Sequence, residues 1–290
     1  MVCAWSNVLC PTCGTAIQIS RSGRSVCSCG AESAFERNIA FLSAPGMLEQ
    51  IPEAATRNQE APNYLELPKF PTQLDSMKRF IDALPAELQA FPALDLGCGP
   101  GPTTAMLLQR GYRVIAVDFS AASLRLNAAV NAQHESRVMY VAADLRKFRV
   151  AAESCGVLMM ADFLQHLGDV DDQRRFLHKI LPALVPTGRF YLSCLNYNVK
   201  NWWKKDRIGS FSGGAMPGTI SYRRSQVREV LSMLPSTIEV LAIHPMNIFH
   251  NAVADRMASR LPLPFLLARM IVVIGRRRAS KPPHFDTQRR

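Results

Sequence analysis

Leu94-Asp95-Leu96-Gly97-Cys98-Gly99-Pro100-Gly101 is the stretch whose reading decides the fold. Apolar residues run up to Gly97, and three glycines then fall within five positions. Pro102 follows at what would be a first helical turn, the one part of a helix that tolerates a missing N–H. The pattern reads as a strand, a tight turn and a helix. Glycine has no Cβ, so such a turn lets a ligand approach the backbone closely. The dinucleotide fingerprint spaces its glycines as G-x-G-x-x-G. Here the third glycine comes one residue early, which sets the loop apart from that of a nucleotide oxidoreductase.

Outward from the turn, the apolar pattern alternates between two periods. Met77, Phe80, Ile81 and Leu84 recur at helical spacing before it. After it, Thr103 to Gln109 reads as a helix stopped by Gly111, and Arg113 to Val117 as a buried strand. Ser120 reads as the N-cap of a helix from Ala121 to Ala132. Val138 to Ala142 and Gly156 to Met160 are strands; Asp171 to Leu184 is an amphipathic helix closed by Pro186 and Gly188. Arg189 to Cys194 is the fifth strand. Ser225 to Leu234 is a helix, with Ile238 to Ile243 and Met270 to Ile274 as the last strands. This alternation predicts an α/β fold: a doubly wound, seven-stranded, mostly parallel sheet covered on both faces.

Three carboxylates sit at the ends of successive predicted strands. Asp95 precedes the glycines, Asp118 ends the second strand 21 residues after Gly97, and Asp144 ends the third. In open α/β sheets the carboxyl ends of the strands border the ligand crevice. A carboxylate suits a diol or an amine and repels a diphosphate.

At these residues the chain resembles the class I S-adenosylmethionine-dependent methyltransferases, specifically their small-molecule (type 11-like) branch. Leu94 to Gly101 looks like their first motif, Val114 to Ser120 like the second, whose acid holds the ribose, and Ala143-Asp144-Leu145 like the third, at the adenine. Asp162-Phe163-Leu164-Gln165-His166-Leu167 is similar to the stretch after their fourth strand, and Leu181 to Leu195 to their approach to the fifth. The resemblance covers roughly residues 76–275, with the motifs in order. It implies that S-adenosylmethionine is held by Asp95, Gly97, Cys98, Gly99 and Gly101, by Asp118 and Phe119, and by Asp144, Leu145 and Ala161.

Cys10-Pro11-Thr12-Cys13 and Cys27-Ser28-Cys29 bring four thiols in two close pairs, as tetrahedral Zn²⁺ requires. The metal would replace a core that so short a segment lacks. The segment resembles the small zinc ribbons fused to some of these enzymes. It departs from them in its second pair, C-x-C in place of C-x-x-C, and Cys3 is a substitute ligand. Cys98, Cys155 and Cys194 read as small buried hydrophobes. Cys194 falls where cytosine-5 RNA methyltransferases carry a nucleophile, yet the Pro-Cys that accompanies it there is Ala161-Asp162 here.

Methyl transfer from a sulfonium needs alignment, plus a base when the acceptor is a hydroxyl or a carbon acid. Asp162 and His166 are the candidates for catalysis, although His166 reads more readily as a histidine that caps or packs the following turn. Residues 196–222 form a long insertion carrying Trp202, Trp203, Lys204, Lys205 and Tyr222, read either as a substrate lid or as a surface loop anchored by its tryptophans.

The organisation that follows is a cysteine-rich zinc-ribbon-like module over 1–42, a proline-rich linker over 43–75 with at most one short helix, the catalytic domain over 76–278 and a basic tail over 279–290. Of the net charge of +11, residues 200–290 supply 16 basic against 5 acidic side chains, which accounts for all of it. An anionic partner for this third (RNA, a phosphorylated small molecule or an anionic membrane surface) is weighed against a solvated basic tail. The start of the chain lacks a secretory pattern, and the most apolar late segment, Leu261 to Gly275, is short and broken by prolines. A cytoplasmic protein is expected. The leading expectation is methylation of a small or medium-sized metabolite, lipid-like or a biosynthetic intermediate. An RNA base methyltransferase and a catalytically silent cofactor-binding partner protein are the alternatives.

Overall fold

The computed structural model describes residues 7–17, 23–42, 48, 51, 54–66, 70–212, 219–247, 253, 257 and 264–279. Its centre is the predicted strand–turn–helix: β5 (Ala93–Leu96) and α3 (Pro102–Gln109), with Pro102 in the first helical turn. Next come β6 (Val114–Asp118), α4 (Ala121–Val130), β7 (Val138–Ala142) and β9 (Cys155–Ala161). Then follow α5 (Val170–Ile180), β10 (Leu184–Leu195), α7 (Val227–Ser232), β13 (Ile238–Met246) and β14 (Met270–Arg277). Ser120 caps α4 by accepting the Ser123 N–H, as its position predicts. Asp169 and Asp172 form a reciprocal capping box at the start of α5.

The main sheet runs β13-β14-β10-β9-β5-β6-β7-β4-β3-β2. The seven expected strands are there, and three more are added: β2 (Gly23–Val26), β3 (Glu32–Glu36) and β4 (Ile39–Phe41). β4 lies parallel to β7, with Ile39 opposite Tyr140. The cysteine-rich segment thus extends the main sheet. It is tied a second time where β1 (Val8–Leu9) pairs antiparallel with β8 (Arg149–Val150). At the other edge, β14 runs antiparallel to both β10 and β13.

Strands β5, β6 and β7 are buried along their whole length because helices cover both faces. Leu94, Leu96, Ile115 and Val117 pack with Phe176 and Leu177 of α5 and with Val8 of β1. Ala93, Val114 and Ala116 pack on the other face with Leu107 of α3 and Leu124 of α4.

Two expectations need correcting. The stretch 43–75 is more than a linker with one short helix. Among its described residues it forms α1 (Ala54–Glu60), a 3₁₀ turn (Ala61–Glu66) and the first turn of α2 (Phe70–Asp82). Pro71 reads as a breaker, but it sits within the first turn of α2, where no backbone donor is lost. The insertion 196–222 is not an open loop either. It forms α6 (Val199–Trp203) and a hairpin of β11 (Ile208–Ser212) with β12 (Thr219–Arg223). Gly213, Gly214 and Gly218, Cys3 and the basic tail from residue 280 lie outside the described residues.

Candidate active site

Strand order reverses between β5, which continues to β6 on one side, and β9 on the other. Open α/β sheets bind ligands at such a switch point, beyond the carboxyl ends of the strands. A cleft of about 300 Å³ opens there.

The turn after β5 hangs on the end of β6, since the N–H groups of Gly97 and Cys98 both donate to the Val117 carbonyl. Two of its glycines have no substitute. A Cβ on Gly97 would stand 3.0 Å from the Phe163 ring, and one on Gly101 only 2.4 Å from the Asn127 side chain. Both have positive φ, +67° and +100°, a region that side chains disfavour.

Asp118 is the hub of this wall. One carboxylate oxygen accepts the Gly99 N–H at 2.9 Å and the other the Ser120 N–H at 2.8 Å. Burial pushes its pKa up, and the Ser120 and Gly99 N–H groups and the Arg57 charge pull against that. Asp118 borders the cleft with Gly97, Gly99 and Phe119, and further on the wall includes Asp144, Leu145 and Ala161. Arg146 grips Asp144, its Nε lying 2.9 and 3.2 Å from the two oxygens.

Asp95, Cys98 and Gly101 lie behind the turn rather than in the cleft wall. Asp95 is buried against α3 and accepts the Thr104 hydroxyl at 2.7 Å. Burial pushes its pKa up to about 7. Asn127 donates to Thr104 in turn, so one buried chain joins β5, α3 and α4.

The opposite wall draws on distant parts of the chain. Asp162 ends β9 with a left-handed backbone, φ +58°, a strained conformation for a side-chain-bearing residue. Gln165 Nε2 donates to its Oδ1 at 2.8 Å, and Gln73 Nε2, reaching across from α2, stands 3.3 Å from its Oδ2. His166 follows in a 3₁₀ turn (Leu164–His166), its Nε2 3.3 Å from Arg57 Nη2. A guanidinium can only donate, so Nε2 accepts and the ring proton sits on Nδ1. Tyr222 of β12 stands edge-on to His166, with ring centroids 6.4 Å apart.

The structure therefore brings Asp162, His166 and Tyr222 together and leaves Trp202, Trp203, Lys204 and Lys205 out of the cleft wall, on and just after α6. Sequence reading missed Gln73, Arg57 and Gln165. Gln165 lies inside a quoted motif, but nothing marked Gln73 or Arg57 in a stretch read as linker. Burial pushes the Cys194 thiol up to about 12, which fits an inert core residue and no nucleophile.

Away from the cleft, Cys10, Cys13, Cys27 and Cys29 converge, with all four Sγ atoms within 4.8 Å of one another. Cys10 and Cys29 lie 3.6 Å apart and Cys13 and Cys27 3.5 Å. Zinc–sulfur bonds of about 2.3 Å would space tetrahedral sulfurs about 3.8 Å apart. The tight turn at Cys27–Gly30, closed by the Gly30 N–H on the Cys27 carbonyl, lets the C-x-C pair supply two ligands. The Cys29 N–H and the Thr15 hydroxyl pull the Cys27 thiol down to about 6.

Residues 93–188 match a family described as a methyltransferase domain. The ubiquinone biosynthesis O-methyltransferase of Brucella ovis is 25% identical over 198 residues, 65% of this chain and 79% of that protein. Among solved structures, the CcbJ methyltransferase of Streptomyces caelestis superposes with a TM-score of 0.60 at 22% identity, over 78% of this chain and 99% of that one. The 1,6-didemethyltoxoflavin-N1-methyltransferase of Burkholderia thailandensis, solved with S-adenosylhomocysteine, gives 0.53 at 19% identity, over 89% of this chain and all of that one. Residues 93–188 thus carry a methyltransferase domain, and the sheet order with the cleft beyond β5 and β9 gives the chain the fold of the class I S-adenosylmethionine-dependent methyltransferases.

Proposed function

We propose that the cleft binds S-adenosylmethionine and passes its methyl group to a small or medium-sized metabolite. The observation that carries this reading is Asp118, held by the Gly99 and Ser120 N–H groups with its carboxylate facing the cleft. Two backbone donors fix the carboxylate in place while leaving it lone pairs for a ribose diol. The glycine turn lets the donor's methionine part lie against backbone. Asp144 and Leu145 would border the adenine, and Phe119 and Ala161 complete the walls. Asp95, Cys98 and Gly101 contribute by shaping the turn from behind. When bound, the cofactor supplies an activated methyl group, and the chain supplies its alignment with the acceptor.

His166 would act as the base for a hydroxyl acceptor through Nε2, its one lone-pair nitrogen, once the acceptor hydroxyl takes the place of Arg57 there, and Asp162 would orient the acceptor or donor amine. A lipid-like biosynthetic intermediate is the favoured class, since relatives such as that of Brucella ovis are named for O-methylation in ubiquinone biosynthesis. A polynucleotide acceptor is disfavoured by the arginines of the last third. Arg223, Arg224, Arg276 and Arg277 all pair with carboxylates and so offer less charge to phosphates. Among the described residues no helix is long and apolar enough to cross a membrane.

The donor set of the cysteine cluster fits Zn²⁺, and Cys10, Cys13, Cys27 and Cys29 would hold it as a structural cross-link. A thiol cluster of this kind suits a reducing compartment such as the cytoplasm. Calorimetry with S-adenosylmethionine and S-adenosylhomocysteine tests the cleft, followed by methyl transfer from labelled donor into small molecules of a cell extract. Absence of binding sinks the reading, and binding without transfer leaves the silent-partner alternative. The purified chain is expected to carry about one zinc; a folded, metal-free chain sinks that part alone.

A further inference from the structure

We propose that α6 and the turn beside it form a docking face for an anionic lipid bilayer, and that the chain works at a membrane surface. Trp203 is 81% exposed and Trp202 62%, the two largest apolar side chains presented to solvent among the described residues. Val199 on the same short helix is exposed as well. Asn198 caps α6, accepting the Asn201 N–H, and its side chain donates to the Ala268 carbonyl at 3.2 Å. Asn196 donates to the carbonyls of Phe265 and Ala268. These bonds clamp α6 against the turn Pro264–Leu266, which presents exposed Leu266 and Leu267. Five exposed apolar side chains thus lie on two short elements that these bonds tie together, beyond the scattered single residues that a soluble surface carries.

Charge names the occupant. Lys200, Lys204 and Lys205 are exposed on and next to α6 and make no ion pair among the described residues. The acid nearest in sequence, Asp206, is bound to Arg224. Tryptophan prefers the headgroup level of a bilayer, and lysines on a short amphipathic helix find anionic headgroups there. A second copy fits poorly, because a two-fold contact through this face would set each lysine cluster against its own kind. RNA would match the lysines and stack on tryptophan, but it offers no counterpart to Val199, Leu266 and Leu267.

The face is stiff and lies close to the cleft. Asp206 accepts from Arg224, and Arg207 and Arg223 share Glu229, so α6 is braced to β12 and α7. β12 carries Tyr222, which touches His166 at the acceptor side. Membrane attachment needs no methyl transfer, so this inference stands or falls separately from the proposed activity.

The test is co-sedimentation of the full chain with vesicles of phosphatidylcholine and with vesicles containing one quarter phosphatidylglycerol. Pelleting with the anionic vesicles and a blue shift of tryptophan emission are expected. The changes Trp202→Ala with Trp203→Ala should cut partitioning at least tenfold. Lys200→Gln, Lys204→Gln and Lys205→Gln together should cut it on the order of a hundredfold, at about fivefold per charge removed. All five positions are exposed, and unchanged circular-dichroism melting shows that the variants fold. Equal pelleting with both vesicle types overturns the proposal, as does pelleting that the lysine variant retains in full. Tighter binding to a tRNA fragment than to anionic vesicles, lost in the tryptophan variant, assigns the face to nucleic acid instead. A dimer in sedimentation velocity that Trp203→Ala dissociates assigns it to a second copy.

Discussion

The two walls of the cleft are built differently. The wall bearing Gly97, Gly99, Asp118 and Asp144 comes from short contiguous motifs at the ends of β5, β6 and β7. Its backbone contacts, such as the bonds of Asp118 to Gly99 and Ser120, stay within a β-turn-α unit or its neighbour, while Arg57 and Asn58 of α1 reach it from farther along the chain, Asn58 by accepting the Ser120 hydroxyl. The wall bearing Asp162 and His166 draws on α1 and the end of β9 and is braced by residues of α2 and β12 outside the lining, with Gln73 reaching Asp162 across 89 positions and Arg57 reaching His166 across 109. A wall with one ligand to recognise can be local. A wall that must suit a particular acceptor recruits whatever elements the fold brings near, which is how shared folds come to carry different specificities.

The sharpest way to break this division is Asp118→Ala. It removes the carboxylate at the hub of the wall proposed to hold the cofactor and is expected to abolish S-adenosylmethionine binding in calorimetry, a loss of at least a hundredfold, while the fold remains. Unchanged affinity would refute the assigned role. The turn itself is probed by Gly101→Ala, since a Cβ there meets Asn127 at 2.4 Å with φ at +100°. Strain and overpacking together should destabilise the chain by about 3 kcal/mol. A urea midpoint equal to the parent's would show that Asn127 swings aside freely.

The same division governs what was legible in the sequence. Strand ends with glycines or acids declare themselves, because a backbone held at positive φ or a carboxylate at a sheet's rim is seldom needed away from a turn or a ligand. Gly97, Gly101 and Asp118 could therefore be placed from spacing alone. The seven central strands were legible for a related reason: burial on both faces leaves apolar runs such as Val114–Val117 that fit little else. β2, β3 and β4 were not, because Glu32–Glu36 is short and polar at both ends and owes its place to pairing with its neighbours and, through β4, with β7. Gln73 was invisible for a sharper reason. Its partner lies far along the chain, and no local pattern distinguishes a glutamine that reaches a cleft from one that faces water. The tryptophans of α6 were ambiguous for the opposite reason, since aromatic-plus-basic composition suited a substrate lid or an anchored surface loop, and the helix carries them exposed outside the cleft wall.

Asp95 offers a subtler probe on the cofactor side. Its pKa is raised to about 7 by burial, so the native state holds a proton that the unfolded chain releases near pH 4. The native state therefore binds more protons between about pH 4 and 7, and stability falls as pH rises through that window and levels off above it. The slope from this one group is at most about 1.4 kcal/mol per pH unit. Asp95→Asn keeps an acceptor for the Thr104 hydroxyl and should flatten this component in urea titrations at several pH values. A slope that survives the change would place its source elsewhere, with Asp118, whose pKa is also raised, as the next residue to test.

The smallest expected effect is the one that decides whether the walls are separate. Gln73→Leu keeps the size of the side chain but removes the donor facing Asp162, and Gln165 still binds that carboxylate. With one of its donors gone, the loss should be about 1 kcal/mol in urea unfolding. Affinity for S-adenosylhomocysteine should change less than threefold, because none of the Asp118 contacts is touched. Methyl transfer to the acceptor should fall about tenfold in kcat/KM, since Asp162 keeps its place in the αL backbone only as well as its partners hold it. A purely structural role for Gln73 predicts the stability loss without the kinetic one. If Gln73→Leu instead weakens S-adenosylhomocysteine as much as Asp118→Ala does, then Asp162 belongs to the cofactor wall, and α2 closes over the donor rather than the acceptor.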